Sequence, residues 1–401
     1  MREDAMRAPT FLRDPYRRRL ETRVLACREA PGGFLAITPD TLLFPEGGGQ
    51  PADRGTLGGL AVGAVHADAD HGWIHELPAA LPPGPVEIEL DWERRFDHMQ
   101  QHSAQHLITA LAQDHYALAT TAFHLGPDRS SIDLDAAALD PGLLVELRAL
   151  VDSEIRRAVR VSARWVRADE LPDLGVRSRG LPEGHQGPVR VVSIAGIDRN
   201  TCGGTHVANT AELQLVSFLG TERVHGGTRL HYAAGGRALR LLDTALERER
   251  GLTHLLACGA GEHAHAVERL LQEQREAGRQ LRGLREELAG ALGEGLARGV
   301  EAGLGRLHRE QDDLPFLQAV AGVACRLAPG ALLLLTGGQP EGCFLLAGPP
   351  EPVARLGPRL CTALEARGGG ARGRFQGRAL RNDRREAAAE VLRAGLSDPT
   401  P

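Results

Sequence analysis

The sequence predicts an α+β protein assembled from four segments. Three observations lead there. Short apolar stretches broken by Gly and Pro fill residues 20–95. Apolar residues then recur at helical spacing from Met99 onward. Finally, apolar positions alternate spacings of three and four over residues 267–291.

Residues 1–93 read as a small β-barrel-like subdomain, with strands at 34–37, 41–44 and 86–90. Residues 94–240 read as an α/β domain. Its first helix, over 94–117, carries the apolar stripe Met99, Leu107, Ile108, Leu111 and Ala112. A strand at 130–134 follows, then a helix over 143–159 with Leu144, Leu147, Val151 and Ile155 inward, and strands at 189–194 and 211–218. Residues 241–312 read as a helical linker. Val267, Leu270, Gln274, Ala277, Leu281, Leu284, Leu288 and Ala291 form an a/d series, as in a coiled coil, a helical hairpin or a helix packed on its own domain. Gly283 and Gly290 weaken that helix by about 1 kcal/mol each. Residues 313–401 read as a small α/β domain with strands at 331–335 and 342–347, a helix over 352–367, a glycine-rich loop at 368–370 and a last helix over 383–394.

Bulk properties set the class. A chain of 401 residues exceeds one core, and 42% hydrophobic with 25% charged residues is ordinary for a soluble protein. Its charged N-terminus has no apolar signal region. The apolar run at 331–335 is far below the about 20 residues that span a bilayer, so no membrane association is expected. Six cysteines show no pairing pattern, which suits a reducing cytoplasm. Net charge is −5, so no global basic field announces a nucleic acid. The cations are nevertheless all Arg, and seven of them lie between Arg367 and Arg385 against one acid, Asp383. That run is either a phosphate-binding patch or a solvated basic tail.

Two short segments carry chemistry. His102 and His106 stand four apart on the first helix, so both rings share one face. Cys202-Gly203-Gly204-Thr205-His206 places a thiol and an imidazole on a flexible glycine turn. Together they offer three nitrogens and one sulfur, a borderline-soft set suited to one zinc ion per chain. The alternative makes Cys202 a small core residue and leaves the histidines at the surface. His98, one turn before His102, is a partner of the ligands, a proton carrier or a packing residue.

These residues resemble a known family. Phe44-Pro45-Glu46-Gly47-Gly48-Gly49-Gln50-Pro51-Ala52-Asp53-Arg54-Gly55 resembles the glycine-rich motif of the alanyl-tRNA synthetase editing region. The His102–His106 and Cys202–His206 segments are similar to its two zinc half-sites. Phe123, His124 and Gly126, with Ser131, Ile132 and Asp133, resemble an element between them. The helical segment and C-terminal glycine-rich block resemble the DHH-associated C-terminal domain of those synthetases. The order is the same, and the chain starts directly at the editing region, without an aminoacylation domain before it. The resemblance therefore implies a free-standing alanyl-tRNA editing protein (AlaX family, long form), with the four segments as glycine-motif subdomain, zinc editing domain, linker and DHH-associated-like domain.

It further implies a hydrolase acting in trans on mischarged tRNA(Ala), chiefly Ser-tRNA(Ala), with Gly-tRNA(Ala) as a second substrate. That is a carboxylic-ester deacylation needing no ATP. The expected ligands are His102, His106, Cys202 and His206, and the expected catalytic contacts are Gln50, Ser103 and Thr205. Ser103 stands where the family usually has Thr, which bears on selectivity. The expected partners are the acceptor stem and 3′ end of tRNA(Ala), reached by Arg156, Arg157, Arg160, Arg164 and Arg167, and a second copy of the chain through the C-terminal region. The alternative function is a non-catalytic tRNA-binding protein with a structural zinc.

Overall fold

The computed structural model describes residues 8–68, 72–177 and 187–397; the first seven residues of the charged N-terminus lie outside them. The chain is α+β and divides into two compact units, Met1–Gly251 and Leu252–Pro401. Among the described residues no helix is long and apolar enough to cross a membrane.

Unit 1 begins with two four-stranded antiparallel sheets. One is ordered Arg19–Val24, Gly84–Leu90, Gly55–Leu57, Leu60–Ala61; the other Ala26–Ala30, Gly33–Thr38, Gly72–Leu77, Val65–Asp68. Leu20, Val24, Ala36, Leu57, Leu77 and Ile88 enclose a common core. Leu42 and Leu43 join it from a segment that is not the expected strand. Its amides are taken by side chains instead: Thr41 N donates to Asp40 Oδ1 (2.8 Å), Leu43 N to Thr41 Oγ1 (3.1 Å) and Phe44 N to Asp53 Oδ2 (2.7 Å). These local acceptors replace a ladder partner.

The next glycines have a geometric task. Gly47 and Gln50 exchange both backbone hydrogen bonds (3.1 and 3.0 Å), and Gly48 and Gly49 have φ of 57° and 79°. Two consecutive positive φ values make a tight reversal that glycine enters without steric penalty. The turn delivers Gln50 inward, where it is 1% exposed.

Helix α1 (Trp92–Tyr116) starts on Asp91, whose side chain accepts from Arg94 N, and ends on Ala117 in the left-handed region. Most of its middle is buried on all sides, including Arg95, His98, Gln101, His102, Ser103 and His106. A polar helix can be buried only if its polar groups find partners. Gln101 does so with the strand Gly227–Ala234: Nε2 donates to Ala234 O and Oε1 accepts from Ala234 N, both at 2.9 Å. That strand belongs to a sheet ordered Val216–Val224, Gly227–Ala234, Ser130–Leu134, Thr120–Leu125. Helix α2 (Pro141–Arg156) buries Leu147, Val151 and Ile155 in the same core. A third sheet, Val161–Val166, Val189–Ile194, Asp198–Thr201, ends just before Cys202. The strand expected at 211–218 is instead a 3-10 turn, Thr210–Leu213, capped by Asn209, with the strand beginning at Val216. Helix α3 (Gly235–Leu256) runs across the boundary of the unit.

Unit 2 is a five-stranded sheet ordered Leu304–Arg309, Leu332–Gly337, Gly342–Ala347, Arg374–Ala379, Ala366–Ala371, with only the first pair parallel. Both faces of its centre are covered. Leu332, Leu334, Phe344 and Leu346 meet α6 (Pro350–Ala363) and α7 (Arg385–Ser397), while Leu333, Leu335 and Leu345 meet α5 (Leu314–Leu327) and the end of α4 (His263–Arg298). Double burial explains the unbroken apolar run read at 331–335. Residues 368–370 are not a loop but part of the edge strand Ala366–Ala371. Most of the a/d series on α4 stays at the surface: Leu270, Leu281 and Leu284 are 50–62% exposed, while Ala289 and Leu296 pack on α5.

One ion pair ties the glycine turn of unit 1 to α1. The Arg95 guanidinium is fully buried; Nε and Nη2 donate to Asp53 Oδ2, Nη1 to Pro15 O and Nη2 to Leu42 O. Asp53→Asn leaves that cation without its countercharge. The variant should lose about 3–5 kcal/mol of stability in denaturant unfolding of unit 1, and a loss under 1 kcal/mol would refute the role.

Candidate metal centre

Helix α1 and the segment after strand Asp198–Thr201 converge on one point. His102 and His106 come from successive turns of α1, and Cys202 and His206 from the glycine segment. One ligand atom from each lies within 4.8 Å of all the others, so the group could hold a metal ion. Cys202 Sγ is 3.4 Å from His102 Nε2 and 3.3 Å from His206 Nε2. A tetrahedron with Zn–S and Zn–N bonds of roughly 2.3 and 2.0–2.1 Å has S–N edges of about 3.5 Å. The donor set and its spacing therefore fit.

The far nitrogen of each ring has its own partner. His102 Nδ1 lies 2.9 Å from Gln50 Oε1, His106 Nδ1 3.1 Å from Asp198 Oδ2, and His206 Nδ1 3.1 Å from Ser103 Oγ. With Nδ1 donating, every Nε2 lone pair is free to face the centre. Gln50 is itself immobilised: its Oε1 accepts from Thr205 N (3.0 Å) and its Nε2 donates to Thr205 Oγ1 (2.9 Å). Ser103 Oγ accepts from Val207 N (3.1 Å), closing the turn onto α1. Buried Arg190 holds the same turn from outside, donating to Cys202 O (2.9 Å) and Gly204 O (2.7 Å). Each ligand is thus oriented before any ion arrives.

Burial works against charge on His106, Cys202 and His206. It pushes His206 down to about 3. On His106 burial is outweighed by hydrogen bonds to Asp198 and Cys202, which raise it to about 9. Burial would also raise the Cys202 thiol, yet the surrounding imidazoles hold it well below the usual thiol range. A thiolate that is stabilised before any ion binds is the form that ligates a metal.

A cavity of about 520 Å³ opens beside the cluster. His102, His106 and Cys202 form one wall; Gln105, Thr109, Phe123, Arg177, Asn200 and Thr201 are among the others. Gln50, Ser103 and Thr205 are not on it. All three are at most 1% exposed and sit behind the ligands. His98 is buried on α1 outside the four-residue group, and its pKa is lowered to about 4, chiefly by burial. Phe123 packs near the His102 ring (5.7 Å between centroids), and Asp133 forms an ion pair with Arg229. Sequence reasoning missed Asp198, Arg190, Arg177 and the polar wall. Asp198 stands four residues before Cys202, a spacing that carries no signal by itself.

Known proteins resemble this chain along almost its whole length. The profile of the threonyl and alanyl tRNA synthetase second additional domain matches residues 189–230, which contain the Cys202 half of the cluster. The alanyl-tRNA editing protein Aarsd1 of Mus musculus is 41% identical over 408 residues, covering 96% of this chain and 97% of the relative. The chain belongs to the alanyl-tRNA editing protein family. Aarsd1 of Danio rerio is 39% identical over 92% of each chain. The alanine–tRNA ligase of Halobacterium salinarum is 28% identical over 81% of this chain but only 36% of that ligase. The resemblance read from the motifs is thus met across the chain.

Within this family site, Gly204 is required by contact and not by backbone angle. A Cβ there would lie 2.3 Å from His102 Cε1 and 2.7 Å from Gln50 Oε1, whereas Gly203 has open space. Gly204→Ala should displace the His102 ring and weaken retention of a bound metal ion by on the order of 10–100-fold, read by metal analysis after dialysis against a chelator. Gly203→Ala should retain metal normally, and equal loss in both variants would refute the contact argument.

Proposed function

We propose that this chain is a trans-editing hydrolase that deacylates mischarged tRNA(Ala), chiefly Ser-tRNA(Ala) and secondarily Gly-tRNA(Ala), with one zinc ion held by His102, His106, Cys202 and His206. The observation that carries it is the placement of three of those donors, His102, His106 and Cys202, in the wall of a cavity, in a member of the alanyl-tRNA editing family. About 520 Å³ is within the range of small-ligand pockets and suits the aminoacylated end of an RNA strand.

The bond to be cut is the ester between an amino acid and the terminal ribose. Zinc in this position would supply Lewis acidity toward the ester or its water. The protein's own residues do the rest. Gln105 Nε2 donates to Thr109 Oγ1 (3.0 Å), and Thr120 Oγ1 donates to the same hydroxyl (3.0 Å). This shelf, with Asn200 and Thr201, offers polar groups to a serine hydroxyl. A serine hydroxyl can hydrogen-bond to these groups and an alanine methyl cannot, which supports discrimination of about 1–3 kcal/mol. Gln50, Ser103 and Thr205 contribute in this reading by fixing the imidazoles and the ligand turn. Their burial and their hydrogen bonds support that role.

For the tRNA, Arg156, Arg160 and Arg164 are exposed beside one another in sequence and suit an acceptor stem. Arg157 and Arg167 are already paired with Glu154 and Asp169. In unit 2, Arg367 and Arg378 stand directly opposite on adjacent strands. Arg378 is already paired with Glu341 (2.7 Å), so in this reading Arg367 is the one of the two that would meet a phosphate. The homodimer through the C-terminal region rests on the exposed ridge Leu270, Leu281, Leu284 and Leu288. Leu281→Glu combined with Leu284→Glu should leave a monomer by sedimentation; an unchanged dimer would refute that face.

One observation favours the second reading, a tRNA-binding protein with a structural zinc: four protein donors complete a tetrahedron. Deacylation decides between them. The purified chain should hydrolyse Ser-tRNA(Ala) about 10–100-fold faster than Ala-tRNA(Ala), and a chelator or Cys202→Ala should abolish it. No turnover with tRNA still bound would establish the non-catalytic reading. Full metal content and full rate in Cys202→Ala would remove Cys202 from the centre.

A further inference from the structure

The three imidazoles are not held alike. His102 leans on an amide oxygen and His206 on a hydroxyl, both neutral, while His106 leans on a carboxylate. Asp198 is 5% exposed, and burying an unpaired carboxylate is costly. Its second oxygen, Oδ1, faces Arg177 Nε at 3.4 Å as an ion pair. Arg177 then reaches back to the helix that carries His106. Nη2 meets both oxygens of Asp114 (2.7 and 2.6 Å), and Nη1 donates to Ala110 O (3.3 Å). Its backbone is pinned as well, since Arg177 N donates to Arg199 O at 2.7 Å. A series thus runs from the His106 ring through Asp198 and Arg177 to Asp114, and both ends of it lie on α1.

We infer that Asp198, anchored by Arg177 and Asp114, is a positioning residue that makes His106 the most firmly held ligand of the metal centre. The inference rests on the zinc reading above. Three physical effects act together. An ionic acceptor fixes the Nδ1–H tautomer more strongly than a neutral one. A carboxylate behind the ring makes Nε2 a better donor to a cation. The series also braces the ring against rotation, because moving Asp198 would break an ion pair that α1 itself holds. Charge accounting excludes a different role for Arg177. It lines the cavity, yet two carboxylates already neutralise it, so it is not a seat for an RNA phosphate.

The test is the rate at which zinc leaves to a chromogenic chelator, measured on the full chain beside zinc content, the visible spectrum of the cobalt-substituted protein and thermal unfolding. Asp198→Ala should release zinc about 10–100-fold faster than wild type and shift the cobalt bands. Asp198→Asn keeps shape and an acceptor but loses the charge, and should fall between. Arg177→Gln should move release in the same direction by less. A purely structural role would lower the unfolding temperature and leave release and cobalt bands alone. If Asp198→Ala does not fold, Asp198→Asn decides, and release at the wild-type rate overturns the inference. Zinc-loaded wild type beside a folded Asp198→Ala with the same release rate overturns it alone. A wild-type chain that takes up no zinc overturns the metal reading and this inference together.

Discussion

Three imidazoles and a thiol buried around one point leave their rings almost no freedom. Every ring nitrogen that faces away from the centre needs an acceptor in a region closed to water. Gln50, Asp198 and Ser103 meet that need, and each comes from a different part of unit 1. The β-rich segment brings Gln50, the third sheet brings Asp198, and α1 itself brings Ser103. Assembly of the centre therefore requires these elements to dock on α1 together. Thr205 and Val207 extend the dependence, because their backbone amides are satisfied by the same Gln50 and Ser103 side chains.

The first β-rich segment is best understood as the mount for Gln50. Its glycine turn can place that side chain only if the loop beyond it is held, and the buried Asp53–Arg95 pair does this by reaching α1. Arg95 also takes backbone carbonyls from Pro15 and Leu42, so one cation fastens three stretches of chain. A buried pair adds little net stability when intact but is costly to break, which suits a part that must hold a register.

Unit 2 follows a different logic. Its sheet is sealed on both faces at the centre, and its outer strand Ala366–Ala371 is mostly exposed and holds three glycines and one arginine, Arg367. Along the long helix α4, Leu270, Leu281, Leu284 and Leu288 are exposed.

Much was legible in the sequence because it is local. The four residues of the candidate metal centre follow from an i, i+4 pair on a helix and a Cys–Gly–Gly–Thr–His turn, and the fold brings the two halves together. The first helix came out within two residues at its start and one at its end, since a long apolar stripe repeats its own evidence. Residues 41–44 and 368–370 read wrongly because apolarity and glycine content do not say whether a ladder partner is present; only the assembled sheets decide that. The direction in which Gln50, Ser103 and Thr205 face was equally hidden. Sequence placed them at the site, while packing turned them to the backs of the ligands and away from the cavity. Asp198 meets His106 across 92 positions of chain, and Arg177 meets Asp198 across 21. Local patterns carry the identity of the donors. Which carboxylate stands behind which ring is a property of the folded contact alone.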